Sequence, residues 1–150
     1  MREIKFRVWD KDYSKMHICG TNTHDAINFL ENQACYYNQQ NGCGSLPNGE
    51  GTYDLMQYTG LKDKNGVDIY EGDIVSGESY ATAMARHHRR DVTSKQKLYG
   101  IRFERGSFRL YDLVENNWVA IIDHHVMSIA NELSVVGNIY QNPELLERGE

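Results

Sequence analysis

Apolar and polar residues alternate from the start of the chain. Ile4, Phe6 and Val8 stand between Glu3, Lys5 and Arg7, the period-2 pattern of a strand with one buried face and one charged, wet face. Trp9 leads into Asp10-Lys11-Asp12-Tyr13-Ser14-Lys15, polar enough to turn the chain back into a second short strand at residues 16–19. The period then changes. Ala26, Leu30, Ala34 and Tyr37, flanked by Ile27, recur at helical spacing behind Thr23 as N-cap and Asp25 in the first turn, which predicts a helix. Residues 38–51 hold few apolar groups and many breakers, so a mobile loop is expected, with too little burial to offset the entropy of ordering.

Strand signals dominate the rest. Residues 53–59 are β-prone, and the following segment ends in Asn65-Gly66, a hairpin signal because both residues tolerate positive φ. Residues 67–70 return as the partner. Glu71-Gly72-Asp73 makes a tight turn before Ile74-Val75, with Gly72 for backbone freedom and the Asp73 carboxylate for nearby amides. Residues 80–90 read as helical or irregular. Residues 99–105 and 107–113 form a further hairpin about Glu104-Arg105-Gly106, with Ile101, Phe103, Phe108 and Leu110 as its apolar members. Residues 118–122 and 132–140 add two apolar runs, Leu133, Val135, Gly137 and Ile139 sharing a face of the second. Short strands joined by glycine turns predict a small barrel or sandwich. With the N-terminal hairpin and helix, the expected class is mainly β, α+β overall.

Composition narrows this. The 150 residues are about one domain's worth. A 40% hydrophobic and 25% charged chain is neither collagen-like, nor a disulfide scaffold, nor fully disordered. No window reaches the ~18 apolar residues of a membrane-spanning helix, and the charged start is not followed by an apolar leader run, so a cytoplasmic protein without a membrane partner is expected. Cys19, Cys35 and Cys43, odd in number and without a Cys-x-x-Cys pair, read as free thiols. The net charge of −5 argues against a surface coated for nucleic acid. Its distribution is uneven: residues 86–105 hold seven basic and two acidic residues, a net +5, which leaves −10 on the rest.

That basic segment is the sharpest chemical feature. Arg86, His87, His88, Arg89, Arg90, Lys95, Lys97 and Arg102 could contact phosphates or an acidic partner, with Tyr99, Phe103 and Phe108 as stacking surfaces. The bland alternative is a solvated loop whose charges pair with the acidic remainder of the protein or of a neighbouring subunit. Asp123-His124-His125 is similar to an element of metal-dependent phosphoesterases, but the further aspartates that two metals need are not visible, so it reads as part of packing segments. The spacings of His17, His24 and the three cysteines fit no zinc pattern. Asp63, Asp68, Glu71 and Asp73 lie within eleven residues but lack the register of a calcium loop, and read as turn formers and solvated charges. Phosphate-binding glycine loops and a nucleophile elbow are missing. No catalytic residue, metal or cofactor is assigned.

The run from Leu55 to Val75, containing Gly60-Leu61-Lys62-Asp63-Lys64-Asn65-Gly66 and Tyr70-Glu71-Gly72-Asp73-Ile74-Val75, closely resembles the signature of the YopX family, proteins encoded mainly by bacteriophages and prophages. The start, Met1-Arg2-Glu3-Ile4-Lys5-Phe6-Arg7-Val8-Trp9-Asp10, and the end, Val136-Gly137-Asn138-Ile139-Tyr140-Gln141-Asn142-Pro143-Glu144-Leu145-Leu146, resemble its opening and closing motifs. The hairpin Gly100-Ile101-Arg102-Phe103 with Phe108-Arg109-Leu110 fits its middle. Residues 38–51 and 76–97 stand as variable insertions.

The resemblance implies an SH3-like β-barrel around the Glu-Gly-Asp-Ile-Val motif with an appended N-terminal region, a tendency to self-associate and no known enzymatic activity. Gly60, Asn65, Gly66, Gly72, Asp73, Gly137 and Asn138 are then architectural. The expected organisation is an N-terminal α+β region over residues 1–51, a barrel over 52–142 carrying the 76–97 insertion, and a tail over 143–150. A non-enzymatic phage accessory protein is expected, a module binding a host or phage protein or further copies of itself as a homo-oligomer. The alternative is a nucleic-acid-binding module using residues 86–105.

Overall fold

The computed structural model describes residues 1, 3–129 and 133–147. Arg2 of the opening motif, residues 130–132, where the last predicted strand begins, and residues 148–150 of the predicted tail lie outside the described residues. The chain is mainly β and divides into two compact units, Met1–Tyr58 and Thr59–Glu150.

In the first unit β1 (Phe6–Asp10) lies between β2 (Lys15–Ile18) and β5 (Tyr53–Lys62), antiparallel to both, so that Val8 is flanked by His17 and Leu55. The Asp10 carboxylate accepts the amides of Asp12 and Tyr13 and tightens the first turn. Arg7, expected in water from the alternation, is instead buried at 8% exposure. The small core is Val8, Tyr36 and Tyr53 with Ile27 and Leu55 against them, the two tyrosine rings meeting edge to face at 4.9 Å.

Two sequence expectations fail in this unit. The predicted helix is a β-hairpin, β3 (Asp25–Leu30) and β4 (Gln33–Asn38), paired in register from Asp25 with Asn38 to Leu30 with Gln33. Its two-residue turn places Glu31 (φ 49) and Asn32 (φ 64) in left-handed conformations without a glycine, so the usual hairpin signal is absent. The same apolar residues fit either period, and the core decides: Ile27 and Tyr36 pair across the strands and pack on Val8.

The expected mobile loop at 38–51 is held by polar bonds that a hydrophobicity pattern does not register. Asn38 Oδ1 accepts the amides of Gln40 and Asn41, Asn41 Nδ2 donates to the Tyr53 hydroxyl at 2.8 Å, and Ser45 Oγ accepts the Tyr36 amide at 2.8 Å. Gly44 crosses Tyr36 so closely that a Cβ there would lie 2.3 Å from the Tyr36 carbonyl oxygen.

The second unit takes in the end of β5, then β6 (Asp68–Tyr70), β7 (Asp73–Glu78), α1 (Tyr80–His87), β8 (Gln96–Glu104), β9 (Ser107–Asp112), β10 (Asn117–Ile121), α2 (His124–Ile129), β11 (Ser134–Asn138) and α3 (Glu144–Glu147). Strands β10-β9-β8-β7-β11 form one antiparallel sheet, curled as a half-barrel, with β10 and β11 at its edges. One face packs Val75, Tyr99, Ile101, Leu110 and Ala120 into the larger core, which Leu133 joins from just before β11. The predicted hairpin at 99–113 and the strands flanking it occur as read. Ser79 caps α1 by accepting the Thr82 amide.

The signature turns are built from buried carboxylates. Gly72 has φ +82, donates its amide to Ile101 O at 2.9 Å and accepts that of Ile139 at 2.9 Å, tying β8 to the C-terminal turn. Asp73, 1% exposed, accepts the Tyr70 amide. Asp63, 7% exposed, accepts the amides of Asn65 and Val67 with one oxygen and that of Val135 with the other. Asp63 and Asp73 are thus turn formers, as expected, but buried ones rather than solvated charges. In the turn between β5 and β6 only Gly66 has a positive φ, +80; Asn65 does not. Gly60 has φ +89, and a Cβ on Gly137 would sit 2.4 Å from Asn142 Oδ1. Asn138 closes that corner by accepting the amides of Tyr140 and Gln141. Among the described residues no helix is long and apolar enough to cross a membrane.

Candidate functional site

The β3–β4 hairpin presents an exposed apolar surface in the first unit. These strands form a sheet of two, and β3 has no neighbour on its outer side among the described residues. The two-residue turn makes Leu30–Gln33 a hydrogen-bonded pair, so Asn28 also bonds inward while Ile27 and Phe29 direct N–H and C=O to the open edge. The opposite edge, at β4, is occupied: the amides of Tyr36 and Asn38 bond to Ser45 Oγ and Cys43 O. Phe29 is 79% exposed and Leu30 47%. Leu30, Tyr37 and Leu46 border an open groove of about 550 Å³ that continues this surface. Between Asp25 and the turn β3 carries no charge. Sequence reasoning missed this surface because it placed these residues on a helix.

Asp25, expected in a helix's first turn, is the polar hub that fixes the hairpin. Its carboxylate accepts the Tyr36 hydroxyl at 2.7 Å and the amides of Gly20 and Asn22, and lies 2.8 Å from His17 Nε2. Burial opposes its ionisation, but the hydrogen bonds from Tyr36, His17 and the two amides outweigh it and hold the carboxyl below its ordinary range. Burial, reinforced by the Asp25 charge, pushes the nearby Cys19 thiol up to about 12, which makes it a poor nucleophile at neutral pH. Among the described residues no three His, Cys, Asp or Glu side chains converge as metal ligands.

The basic segment of the second unit is dispersed. Arg86 pairs with the buried Glu78 through both guanidinium nitrogens, one contact being 2.7 Å. Lys97 pairs with Asp112 and lies 3.3 Å from Glu115. Arg102 lies over the Tyr111 ring. Arg89, with φ 58, Arg90 and Lys95 are exposed beyond α1. His87 stacks edge to face on His88 at 5.6 Å and on His125 at 6.3 Å. Tyr99, expected as a stacking surface, is 1% exposed in the core, its hydroxyl accepting the Tyr80 amide. Phe103 and Phe108 pack on each other at 5.0 Å. Asp123 accepts the Val126 amide and starts α2, which accounts for it without a metal.

The family model described as YopX protein matches residues 5–147. The crystal structure of protein EF1440 from Enterococcus faecalis is similar at 26% identity and a TM-score of 0.53, covering 97% of this chain and 99% of that one. Protein yopX from Bacillus subtilis is similar in fold at 19% identity and a TM-score of 0.53, covering 97% and 98%. Among curated proteins none matches the chain.

Proposed function

The chain belongs to the YopX family, and from that premise we propose that it is a non-catalytic protein-interaction module that binds by strand addition, its first partner being a second copy of itself. The carrying observation is the open, uncharged outer edge of β3, with Phe29 79% exposed on it. An edge strand presents a row of unpaired amides and carbonyls, and proteins that remain monomeric usually blunt it with charge, proline or a bulge. Residues Ala26 to Leu30 have none of these. Two such edges meeting antiparallel about a two-fold axis extend the hairpin to four strands. A lone two-stranded sheet is marginal in water, so the added strands also stabilise the hairpin.

The second unit we read as an SH3-like barrel left open between β10 and β11, a reading supported by the curl of its sheet. The basic segment as a nucleic-acid contact is the weaker alternative, because Arg86 and Lys97 are already neutralised by Glu78 and by Asp112 with Glu115.

Sedimentation equilibrium tests the proposal. The wild type associates with rising concentration, and Phe29→Lys, a change in solvent, remains monomeric, with the melting curve of the wild type at dilutions where that too is monomeric. A wild type monomeric throughout, or a Phe29→Lys variant that associates equally well, overturns it.

A further inference from the structure

The outer face of the five-stranded sheet carries a second arrangement, independent of the β3 edge. The pairing sets two rows side by side: Ile121, Arg109 and Arg102 in one, Trp118, Tyr111 and Gly100 in the other. A β-bulge between Trp118 and Ala120 brings Trp118 and Ile121 to the same face, which strict alternation would have divided. The Arg102 guanidinium lies 4.4 Å from the centre of the Tyr111 ring, and that of Arg109 lies 5.0 Å from the Trp118 ring. Trp118 is 55% exposed, Arg102 is exposed, and Arg109 and Tyr111 are half-buried.

Arg102 and Arg109 stand directly opposite each other on β8 and β9. Like charges so placed repel. Among the described residues neither has a carboxylate at ion-pair distance; Arg109 Nε donates to Glu104 O at 3.1 Å and to Ser107 Oγ at 3.2 Å. Two other cations of this unit, Arg86 and Lys97, are each matched to a buried acid. The face therefore holds two adjacent, uncompensated guanidinium groups, each laid on an aromatic ring.

An anion that brings planar groups with it answers both features. Phosphate takes the guanidinium edge in two parallel hydrogen bonds, and a base stacks on an aromatic ring or on the guanidinium plane. We propose that Arg102, Arg109, Tyr111 and Trp118, on the outer face of β8, β9 and β10, bind single-stranded nucleic acid. A duplex keeps its bases stacked inside and offers this face phosphate alone. An acidic peptide matches the charge but leaves the rings unused.

The test is fluorescence anisotropy of a labelled thymidine oligonucleotide of about a dozen residues, within the span of a small β module. The wild type binds at low salt and quenches Trp118 emission. Two phosphate contacts give a slope of log affinity against log salt of about −1.4. The double change Arg102→Gln, Arg109→Gln weakens binding and flattens that slope. Trp118→Ala weakens binding about tenfold, as one lost stack should, with the slope kept, and Trp118→Phe restores most of it. Arg89→Gln with Arg90→Gln leaves binding unaltered. Melting curves check that each variant is folded. Absence of any anisotropy change at low salt overturns the proposal, as does loss of binding in the Arg89 and Arg90 variant alone. Tighter binding of a duplex or of a polyglutamate peptide overturns it too.

Discussion

Two hairpins of this chain share a turn and differ in nearly everything else. The β3–β4 hairpin turns on Glu31-Asn32 (φ 49 and 64) and the β8–β9 hairpin on Arg105-Gly106 (φ 50 and 77), both two-residue turns with two left-handed residues. The second hairpin lies inside a sheet, with β7 on one side and β10 on the other, and contributes Tyr99, Ile101 and Leu110 to a core in which none exceeds 1% exposure. The first is flanked on one side only, and Phe29 and Leu30 at its tip stand in water. Turn chemistry sets the pairing, whereas neighbours decide whether a hairpin serves as core or as contact surface.

The largest effect expected from this contrast is on stability. Leu110→Ala removes a fully buried side chain and should cost about 2–5 kcal/mol in chemical denaturation. Phe29→Ala, at a side chain mostly in solvent, should stay within about 0.5 kcal/mol. Comparable losses at the two positions would mean that the tip of the first hairpin is packed after all.

Next in size is the anchor of the first hairpin. Asp25→Ala leaves the Tyr36 hydroxyl, His17 and two amides without their acceptor, a loss of about 1–3 kcal/mol. The pH dependence carries a definite sign. The carboxyls of Asp25 and Asp112 both lie below their ordinary value of 3.8 in the folded protein; burial opposes this in each, and hydrogen bonds, from Tyr36 and His17 to Asp25 and from Lys97 to Asp112, prevail. A carboxyl with a lower pKa in the folded state contributes stability above its unfolded value, and that stability is lost as pH falls through the folded one. Wild type should therefore weaken progressively below about pH 4, in both units. Asp25→Asn should remove the acid dependence from the first unit, followed by the near-ultraviolet signal of Tyr36 and Tyr53, and leave that of the second. An unchanged acid profile in this variant would show that Asp25 does not carry the linkage.

The same contrast explains what was legible in the sequence. The β8–β9 hairpin reads directly because Ile101, Phe103, Phe108 and Leu110 alternate about a turn that contains glycine. The β3–β4 hairpin does not, because Ala26, Ile27, Leu30, Ala34 and Tyr37 suit a helix equally well and its turn has no glycine to mark it. What settles that segment is non-local: an Asp25 carboxylate bonded to His17 and Tyr36, and a strand face packed on Val8. The surface rows of the second unit escaped notice for a related reason. The bulge in β10 gives Trp118 and Ile121 a spacing of three, which a period-2 reading assigns to opposite faces. The signature turns are legible as turns, but the burial of Asp63 depends on an amide distant in sequence, that of Val135.

Amide exchange sharpens the contrast at single residues. In the monomeric Phe29→Lys variant, the Asn28 and Leu30 amides, bonded to β4, should exchange slowly, and the Ile27 and residue 29 amides on the open edge quickly. In associated wild type the Ile27 and Phe29 amides should gain protection, while those of Tyr99 and Ile101, already inside a sheet, should not change. Protection of Ile27 and Phe29 that does not vary with protein concentration would place a partner for this edge within the chain itself.

The smallest effect concerns the turns. Left-handed φ costs an ordinary residue roughly 1 kcal/mol, Asn somewhat less and glycine nothing, although glycine gives part of the gain back through the entropy of the unfolded chain. Asn32→Gly makes the first turn match the second, where Gly106 already holds the equivalent place at φ 77. It should raise stability by a few tenths of a kcal/mol, read as a small upward shift in the denaturation midpoint. The reverse change, Gly106→Asn, should lower stability by a similar amount, since a Cβ at Gly106 meets no atom within 4 Å and only backbone strain is at stake. If Asn32→Gly destabilises instead, the Asn32 side chain has a role beyond permitting the turn, and the difference between the hairpins is not confined to their neighbours.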